Sequence, residues 1–354
     1  MILFWVAIIA LTTLLYVLLD GFDLGVGILF GFTRNEDSRR KMLSAISPVW
    51  DGNETWLVFT GTILWGAFPR VYATLLSAFY LPIILMLGAL ILRGVSFEFR
   101  DKALGSRWIW DFGFWGGSLI AAFVQGVAVG ALAKGLPMVD GHYAGGTFGW
   151  FSTFACLCGI GLCLGYALLG AGWLVLKCEG SLRDRAYDLL RPLTIGVFSF
   201  LAMAFVYALV LDLRIMDRWL ERPLLFLFPA LGVVASVLLV RGIKVRNDRQ
   251  PFRMTVVIFL SAFGTLAVSF WPFMIPFAIT IDQAASPPST LRFMFWGAGL
   301  FVTPLTLIYT ASMYRVFRGK WSMRKPISNA PGAARPSWRA DGKSNDAALY
   351  RAPH

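Results

Sequence analysis

The sequence is poor in charged residues and in histidine. Of its 354 residues only 15% are charged and 57% are hydrophobic, and the mean hydropathy is +0.67. Soluble domains carry about 25% charged residues, so these values exclude an ordinary soluble domain and indicate a polytopic membrane protein. The two histidines, His142 and His354, lie in a polar loop and at the C-terminus. Because membrane haem proteins usually bind iron through axial ligands from helices, we expect this chain to bind no haem alone.

Cysteine is also scarce, and its pattern excludes a metal site. The four cysteines, Cys156, Cys158, Cys163 and Cys178, match no spacing of a metal-binding pair, so they are expected to be small buried thiols. The net charge of +12 could suggest nucleic acid as a partner. However, the basic residues form short clusters between apolar runs, which is the pattern of membrane loops. We therefore expect a lipid bilayer and no nucleic acid.

Long apolar runs dominate the chain. A spanning helix needs about 20 consecutive apolar residues, and by this measure the fold class is an all-α membrane protein with nine transmembrane helices. The predicted spans are 3–31, 48–68, 71–92, 112–133, 148–176, 193–213, 223–240, 254–277 and 293–316. They define a transmembrane domain over 1–318. Residues 319–354 are basic and rich in Pro, Ala and Ser, which predicts a disordered cytoplasmic tail.

The basic residues predict the orientation. Of the 32 lysines and arginines, 26 fall after the odd-numbered spans, with Arg93 and Arg100 assigned to the loop after the third span. Only six fall on the other side. Positive charge marks cytoplasmic loops, so the N-terminus is expected outside and the C-terminus inside.

Acidic residues inside the spans are few and are confined to the first two. They are Asp20, Asp23, Asp51 and Glu54. A charge at the bilayer centre costs at least about 2.5–3.5 kcal/mol and usually marks function. The sequence therefore predicts that any chemistry of this chain is concentrated at the first helix pair.

Asp20 and Asp23 share one helix face, because they are three residues apart. Gly27 and Gly31 continue that face at intervals of four residues. A face of small residues and carboxylates is expected to pack against another helix. A buried helix junction and a functional role remain equally open from these residues alone.

The stretch SPVWDGNETWLV begins the second span. Ser47 is typical of an N-cap and Pro48 of a first helical position, which places Asp51 about one turn into the helix. Asp51 could simply complement the helix dipole. Two acids and an amide that descend into the membrane, with Glu54 the second acid, instead suggest stepping stones for protons.

Two further polar features are weaker signals. Glu98 and Lys102, in FEFRDK, are four residues apart and taken alone are expected to form a solvated ion pair. Gln125 lies in the middle of the fourth span and is expected to form a hydrogen bond across helices.

Several of these stretches together resemble one family. They are DGFDLGVG, TRNEDSRRKML, SPVWDGNETWL, FPRVYATLLSAFY, LRGVSFEFRDK and WDFGFWGGS, which begin at residues 20, 33, 47, 68, 92 and 110, and VSFWPFMIP, which begins at 268. The chain is similar to subunit II of the cytochrome bd family of bacterial quinol:O2 oxidoreductases. The likeness is nearly continuous from residue 16 to about 130.

The resemblance implies a haem-free subunit in the bacterial cytoplasmic (inner) membrane. Its partner would be subunit I, of similar fold, which carries all the haems (b-type and d-type, or b-type only) and the loop that oxidises quinol. Small single-span subunits often accompany the pair. Electrons from quinol reduce O2 to water, with protons taken from the cytoplasm. Some members also hold a quinone in this subunit, but no motif here identifies its site.

The resemblance also implies a proton-uptake route through Asp51, Glu98 and Lys102. Position 98 is Glu where other members have Asp, which keeps the carboxylate. Position 54 is Glu where some members have Gln, so Glu54 is a candidate additional member of the route. Asp20 and Asp23 would either relay protons or fasten the subunit interface.

Two other functions are compatible with the residues. One is a self-contained proton-coupled transporter with the span 1 and span 2 aspartates as coupling acids, which would predict inverted repeats and broken helices in both halves. The other is a structural scaffold that seals the haems of the partner from lipid. The scaffold function differs from the proton-conducting function only in whether Asp51 affects the rate of oxygen reduction.

Overall fold

The computed structural model describes residues 1–103, 105–210 and 223–320. This part of the chain is mostly helical. Eight helical segments are long and apolar enough to cross a membrane: Ile2–Gly31, Pro69–Lys102, Arg107–Lys134, Thr153–Lys177, Ser181–Tyr207, Pro223–Val245, Gln250–Phe270 and Pro288–Val316. Each overlaps one of the predicted spans. The predicted tail from residue 321 onwards lies outside the described residues.

The described part of the chain contains twelve α-helices. They are α1 (Ile2–Gly31), α2 (Glu36–Ile46), α3 (Trp50–Ala67), α4 (Pro69–Phe99), α5 (Arg107–Lys134), α6 (Thr153–Lys177), α7 (Ser181–Val210), α8 (Leu227–Val245), α9 (Gln250–Phe270), α10 (Ile281–Ala284), α11 (Pro288–Met294) and α12 (Thr303–Val316). Short 3-10 turns occupy Arg100–Lys102 and Pro223–Phe226, and a π-helical segment, Phe295–Val302, joins α11 to α12. Two antiparallel hairpins pair β1 (Met138–Val139) with β2 (His142–Tyr143), and β3 (Phe273–Ile275) with β4 (Ile279–Thr280).

The second predicted span, 48–68, corresponds to α3. This helix has 18 residues and is not among the eight apolar segments. Its first turns carry Asp51, Asn53 and Glu54, which make it the most polar of the long helices near the N-terminus. The count of nine spans therefore stays a prediction.

Several predicted helix boundaries are wrong. The third span continues to Phe99 rather than ending at 92, and the sixth begins at Ser181 rather than at 193. Ser47 does not cap α3: it closes α2, and α3 begins at Trp50 without a side-chain cap. Ser47 and Pro48 instead form the turn between the two helices. The eighth span ends at Phe270 rather than at 277, and residues 273–275 form β3. Pro272 has no backbone N–H to continue the helix, which explains the early end.

Helix α1 lies at the centre of the bundle, where α3, α5 and α6 pack around it. Its glycines make this possible. A Cβ at Gly25 would lie 1.8 Å from the Tyr166 carbonyl oxygen on α6, and one at Gly27 would lie 2.0 Å from Ser118 Oγ on α5. The prediction that the small-residue face of α1 packs against other helices is confirmed. The acidic residues of α1 are thereby buried within the protein.

Candidate functional site

Asp20 on α1 and Arg93 on α4 form a buried ion pair. Arg93 Nη1 donates to Asp20 Oδ1 over 3.1 Å, and both side chains are at most 1% exposed. Removing two charges from water is costly, and a buried pair persists only when each charge compensates the other. Arg93 therefore explains how α1 can keep Asp20 inside an apolar bundle.

Glu54 on α3 extends this pair toward the surface of the chain. Its Oε2 lies 3.8 Å from Arg93 Nη1, and its side chain is 27% exposed. The same guanidinium group thus faces two carboxylates, one enclosed and one at the edge of the bundle. We call Asp20, Arg93 and Glu54 the charged cluster. It connects the interior of the protein with its exposed α3 face.

Asp23 is held by a second set of polar groups. Asn53 Nδ2 on α3 donates to Asp23 Oδ2 over 2.7 Å and lies 3.3 Å from the Leu19 carbonyl oxygen. Tyr314 on α12 donates its hydroxyl to Asn53 Oδ1 over 2.8 Å. Asn53 therefore ties α1, α3 and α12 together around a carboxyl group that is fully buried.

A third set of polar groups crosses the bundle from α6 to α1. Tyr166 donates to Gln125 Oε1 over 2.9 Å, and Gln125 Nε2 donates to Tyr16 Oη over 2.8 Å. The predicted hydrogen bond of Gln125 across helices is confirmed. Tyr16 lies one helical turn before Asp20 on α1, so this set reaches the charged cluster.

Several buried polar atoms at this site have no hydrogen-bond partner among the described residues. They are Asp20 Oδ2, Asp23 Oδ1, Arg93 Nε and Nη2, and Ser96 Oγ. Most buried polar atoms in proteins are hydrogen-bonded, because an unsatisfied one is costly.

The residues that the family resemblance points to lie elsewhere. Asp51 is exposed in the first turn of α3, and Glu98 and Lys102 are exposed at the end of α4 and just beyond it. Asp51 acts electrostatically on Glu54, whereas no described contact joins Glu98 or Lys102 to the charged cluster. The expected Glu98–Lys102 ion pair is not formed. Because α4 ends at Phe99, the spacing of four residues no longer brings the two side chains together, and Lys102 lies over the Phe99 ring instead.

Sequence reasoning missed Arg93 and assigned it to a loop. The third span continues to Phe99, so Arg93 lies inside α4. One signal was available: two acids in an apolar span require a cation, and intramembrane charges usually pair with one another. Arg93 follows directly on the apolar run of span 3 and was the nearest candidate. Asn53 stood out only as an amide among the acids of WDGNE, and Tyr16 and Tyr314 carried no comparable signal.

Arg100 was also assigned to a loop, yet it is 1% exposed. It bonds to Glu36 over 2.8 Å and to Asp111, which also accepts a 2.6 Å bond from Arg39. Both guanidinium groups lie over the Phe30 ring. Partial burial acts to raise the pKa of Glu36, but the hydrogen bond and charge of Arg100 outweigh it, so the pKa lies below its ordinary value. This network fastens the end of α1 to α2, α4 and α5.

The described residues place no histidine in a helix. His142 lies in β2, in a hairpin rather than in a helix. Among the described residues no group of three or more histidine, cysteine or acidic side chains could hold a metal ion. Nothing in the described part of the chain therefore offers the helix-borne imidazole that a membrane haem commonly uses.

Comparison with known proteins identifies the family. The family described as cytochrome bd terminal oxidase subunit II matches residues 1–317. The chain is 32% identical over 357 residues to the probable cytochrome oxidase subunit 2 of Haemophilus influenzae, with 90% of this chain and 94% of that protein covered. It is 32% identical over 351 residues to the cytochrome bd-I ubiquinol oxidase subunit 2 of Escherichia coli K12 (88% and 92% covered). The identity to the cytochrome bd ubiquinol oxidase subunit 2 of Bacillus subtilis is 30% over 335 residues (92% and 98% covered).

A solved structure shares the fold. The bd oxidase from Geobacillus thermodenitrificans contains a chain that superposes with a TM-score of 0.69 at 15% identity, covering 88% of this chain and 98% of that one. Together these matches support an oxidase subunit over a self-contained transporter. The chain is a multi-pass protein of the bacterial inner membrane. It belongs to the cytochrome bd terminal oxidase subunit II family and is a subunit of a quinol oxidase complex.

Proposed function

We propose that this chain is the haem-free subunit of its complex and conducts protons from the cytoplasm toward the site of O2 reduction. The haems and the quinol-oxidising site then belong to a subunit I partner, with which small single-span subunits can associate. The absence of a helix-borne histidine in the described residues supports this division of labour. In this view quinol supplies the electrons, and this chain supplies part of the path for protons.

The proposed topology has nine spans, with the N-terminus outside. Helix α3 counts as a span because 18 residues extend about 27 Å at 1.5 Å per residue, close to the hydrocarbon thickness of about 30 Å. With α3 included, the basic ends of α1, α4, α6, α8 and α12 all face the cytoplasm. Asp51, Glu98 and Lys102 then lie on the cytoplasmic side, where protons enter.

One face of α3 is better suited to contact another protein than lipid. Asp51, Thr55, Val58, Thr62 and Trp65 recur at helical spacing, and all five are exposed in the isolated chain. An aspartate and two threonines are unfavourable against lipid tails, whereas such residues are common at helix–helix contacts in membranes. We assign this face to the contact with subunit I.

The proposed path runs from Asp51 to Glu54 and then to the charged cluster. Asp51 and Glu54 are three residues apart on α3, so they share a face. Glu54 is partly exposed and lies 3.8 Å from Arg93, which bonds to the enclosed Asp20. This continuity from an exposed acid to a buried one is the single observation that carries the proposal. Glu98 and Lys102 gather protons near the entrance, and Asp23 lies beside the path.

Turnover of the assembled complex tests this function. Asp51→Asn and Glu54→Gln remove a titratable group while preserving size, and Asp37→Asn, an exposed change on α2, is the matched control. Oxygen consumption with quinol should fall in the first two variants and stay unchanged in the control. The haem absorption spectrum should be intact in all three, because the haems lie in the partner.

The scaffold alternative predicts a different outcome. If both the Asp51 and the Glu54 variants assemble with normal haem spectra and consume oxygen at the unaltered rate, the acids do not conduct protons. The chain would then serve only to enclose the haems of its partner. A strong loss in the Asp37 control would instead show that surface charge alone changes turnover, and would also contradict the proposed path.

A further inference from the structure

The last helix ends in a run of basic residues that contains no acid. We call residues 315–339 the basic segment. It contains seven cations, and no acidic residue lies between Asp282 and Asp341. The cations are Arg315, Arg318, Lys320, Arg324, Lys325, Arg335 and Arg339. On α2, by contrast, Glu36 and Asp37 each pair with a basic residue of the same helix. The basic segment therefore carries a positive charge that its own residues do not neutralise.

The first residues of the basic segment are fastened where the ends of three helices meet. Lys177, at the end of α6, donates to the Phe317 carbonyl oxygen. Lys320 Nζ donates to Asp248 Oδ2, in the turn between α8 and α9, over 2.8 Å. Since α12 ends at Val316, the segment begins directly at the end of a membrane-spanning helix. Its later cations thus follow from a fixed point at that level.

The described cations nearest to the helix end are available to a partner. Arg315 and Arg318 are exposed, and within the described part of the chain no hydrogen bond or ion pair engages either of them. Val316 and Phe317, which lie between them, are 75% and 47% exposed. Apolar side chains beside cations suit the level of the bilayer where hydrocarbon meets phosphate, because each group then has a favourable surrounding.

The rest of the basic segment lies outside the described residues, but the length of the chain limits how far its next cations can be from the membrane. Arg324 and Lys325 follow Lys320 by four and five residues, and even a fully extended chain spans at most about 18 Å over five residues. Tryptophan, which is enriched at membrane interfaces, occurs at positions 321 and 338. A cluster of about four to eight basic residues next to a transmembrane helix is attracted to anionic lipids.

We propose that the basic segment binds the anionic phospholipid headgroups of the membrane that contains the protein. The attraction is electrostatic and increases about fivefold for each cation near a negative surface. Because α12 tethers the segment to the bilayer, its cations meet the headgroups at a high effective concentration. The proposal goes beyond the proposed function and does not depend on proton conduction.

Proteolysis of the assembled complex in lipid nanodiscs tests this binding. Chymotrypsin cleaves after aromatic residues, and mass spectrometry follows the cut after Trp338. In an equal mixture of phosphatidylcholine and phosphatidylglycerol the cut should be at least about fivefold slower than in phosphatidylcholine alone. High salt should remove the difference, because it screens the attraction.

Two variants with the same change in charge complete the test. The first replaces the four later cations of the basic segment by glutamine (Arg324, Lys325, Arg335 and Arg339), and it should be cut at the same rate in both lipids. This variant also corrects for any effect of the lipid on the protease. The control replaces four exposed cations of α7 and α8 by glutamine (Arg185, Arg191, Arg241 and Lys244) and should keep the wild-type difference.

Equal rates of cleavage of the wild type in the two lipids would overturn the proposal. So would a difference that persists in the first variant or disappears in the control. Protection by an added RNA oligonucleotide, without protection by phosphatidylglycerol, would assign the cations to nucleic acid instead. Failure of the proposed function would leave all these rates unchanged, since cleavage after Trp338 does not depend on turnover.

Discussion

Replacing Arg93 by methionine should destabilise the subunit strongly. The substitution fills a similar volume but leaves Asp20 enclosed, with its cation gone. Breaking a buried pair by removing one partner costs about 3–5 kcal/mol, a large part of a typical folding free energy. Asp20→Asn should be milder, because the remaining guanidinium group still has Glu54 at 3.8 Å.

The double variant Asp20→Asn/Arg93→Met gives the sharpest comparison. The double variant no longer buries a carboxylate without a cation. It should therefore regain most of the stability that Arg93→Met loses. The assay is the yield of assembled complex by size-exclusion chromatography, together with the rate of thermal inactivation, since membrane complexes commonly unfold irreversibly. If Arg93→Met is as stable as the wild type, or if the double variant is no better than Arg93→Met, the pair does not hold the site together.

Three other predictions concern packing, a hydrogen-bonded amide and pH. Gly25→Ala should abolish assembly because its Cβ would meet the α6 backbone, whereas Gly61→Ala, with open space around it, should assemble normally on size-exclusion chromatography. Asn53→Leu should lower stability by about 1–3 kcal/mol for each partner left unsatisfied, measured as faster thermal inactivation. Arg100 holds the pKa of Glu36 below its ordinary value of about 4.5, so the stabilisation by this carboxylate is present above about pH 4.5 and is lost as pH falls through the lower pKa of the folded state. The wild-type complex should therefore inactivate more slowly on heating than Glu36→Gln at neutral pH, and the two rates should become equal in acid. A difference in rate that stays constant across pH would contradict this.

The sequence was most informative where apolar periodicity decides the structure. Eight of the predicted spans overlap a long apolar helix, because length and hydropathy are local properties, although the third helix ends later and the sixth begins earlier than predicted. The glycine face of α1 was also predictable, since Gly27 and Gly31 repeat at helical spacing. The errors at Ser47 and at residues 271–277 have a common cause. Proline can begin a helix, end one or form a turn, and local sequence does not distinguish these uses.

The candidate site was predictable only in part. The acids stood out because charge is rare in a span, and Asp20 and Asp23 are indeed enclosed. Their partners did not stand out. Arg93 resembled a loop cation because it follows the apolar run, and Tyr16 and Tyr166 resembled ordinary aromatic residues. Contacts such as that between Asn53 and Tyr314, 261 residues apart, depend on how the helices associate.

The pairing of Asp20 with Arg93 also bears on biogenesis. The two residues are 73 positions apart, and ribosomes add about 5–20 residues per second, so the newly made first helix waits roughly 4–15 s for its counter-ion. During that interval its carboxylates must stay in the translocon, pick up protons or be shielded by a helper protein. Nascent chains that end before α4 should accordingly insert poorly and be degraded, whereas slightly longer chains that include α4 should insert stably into the bilayer.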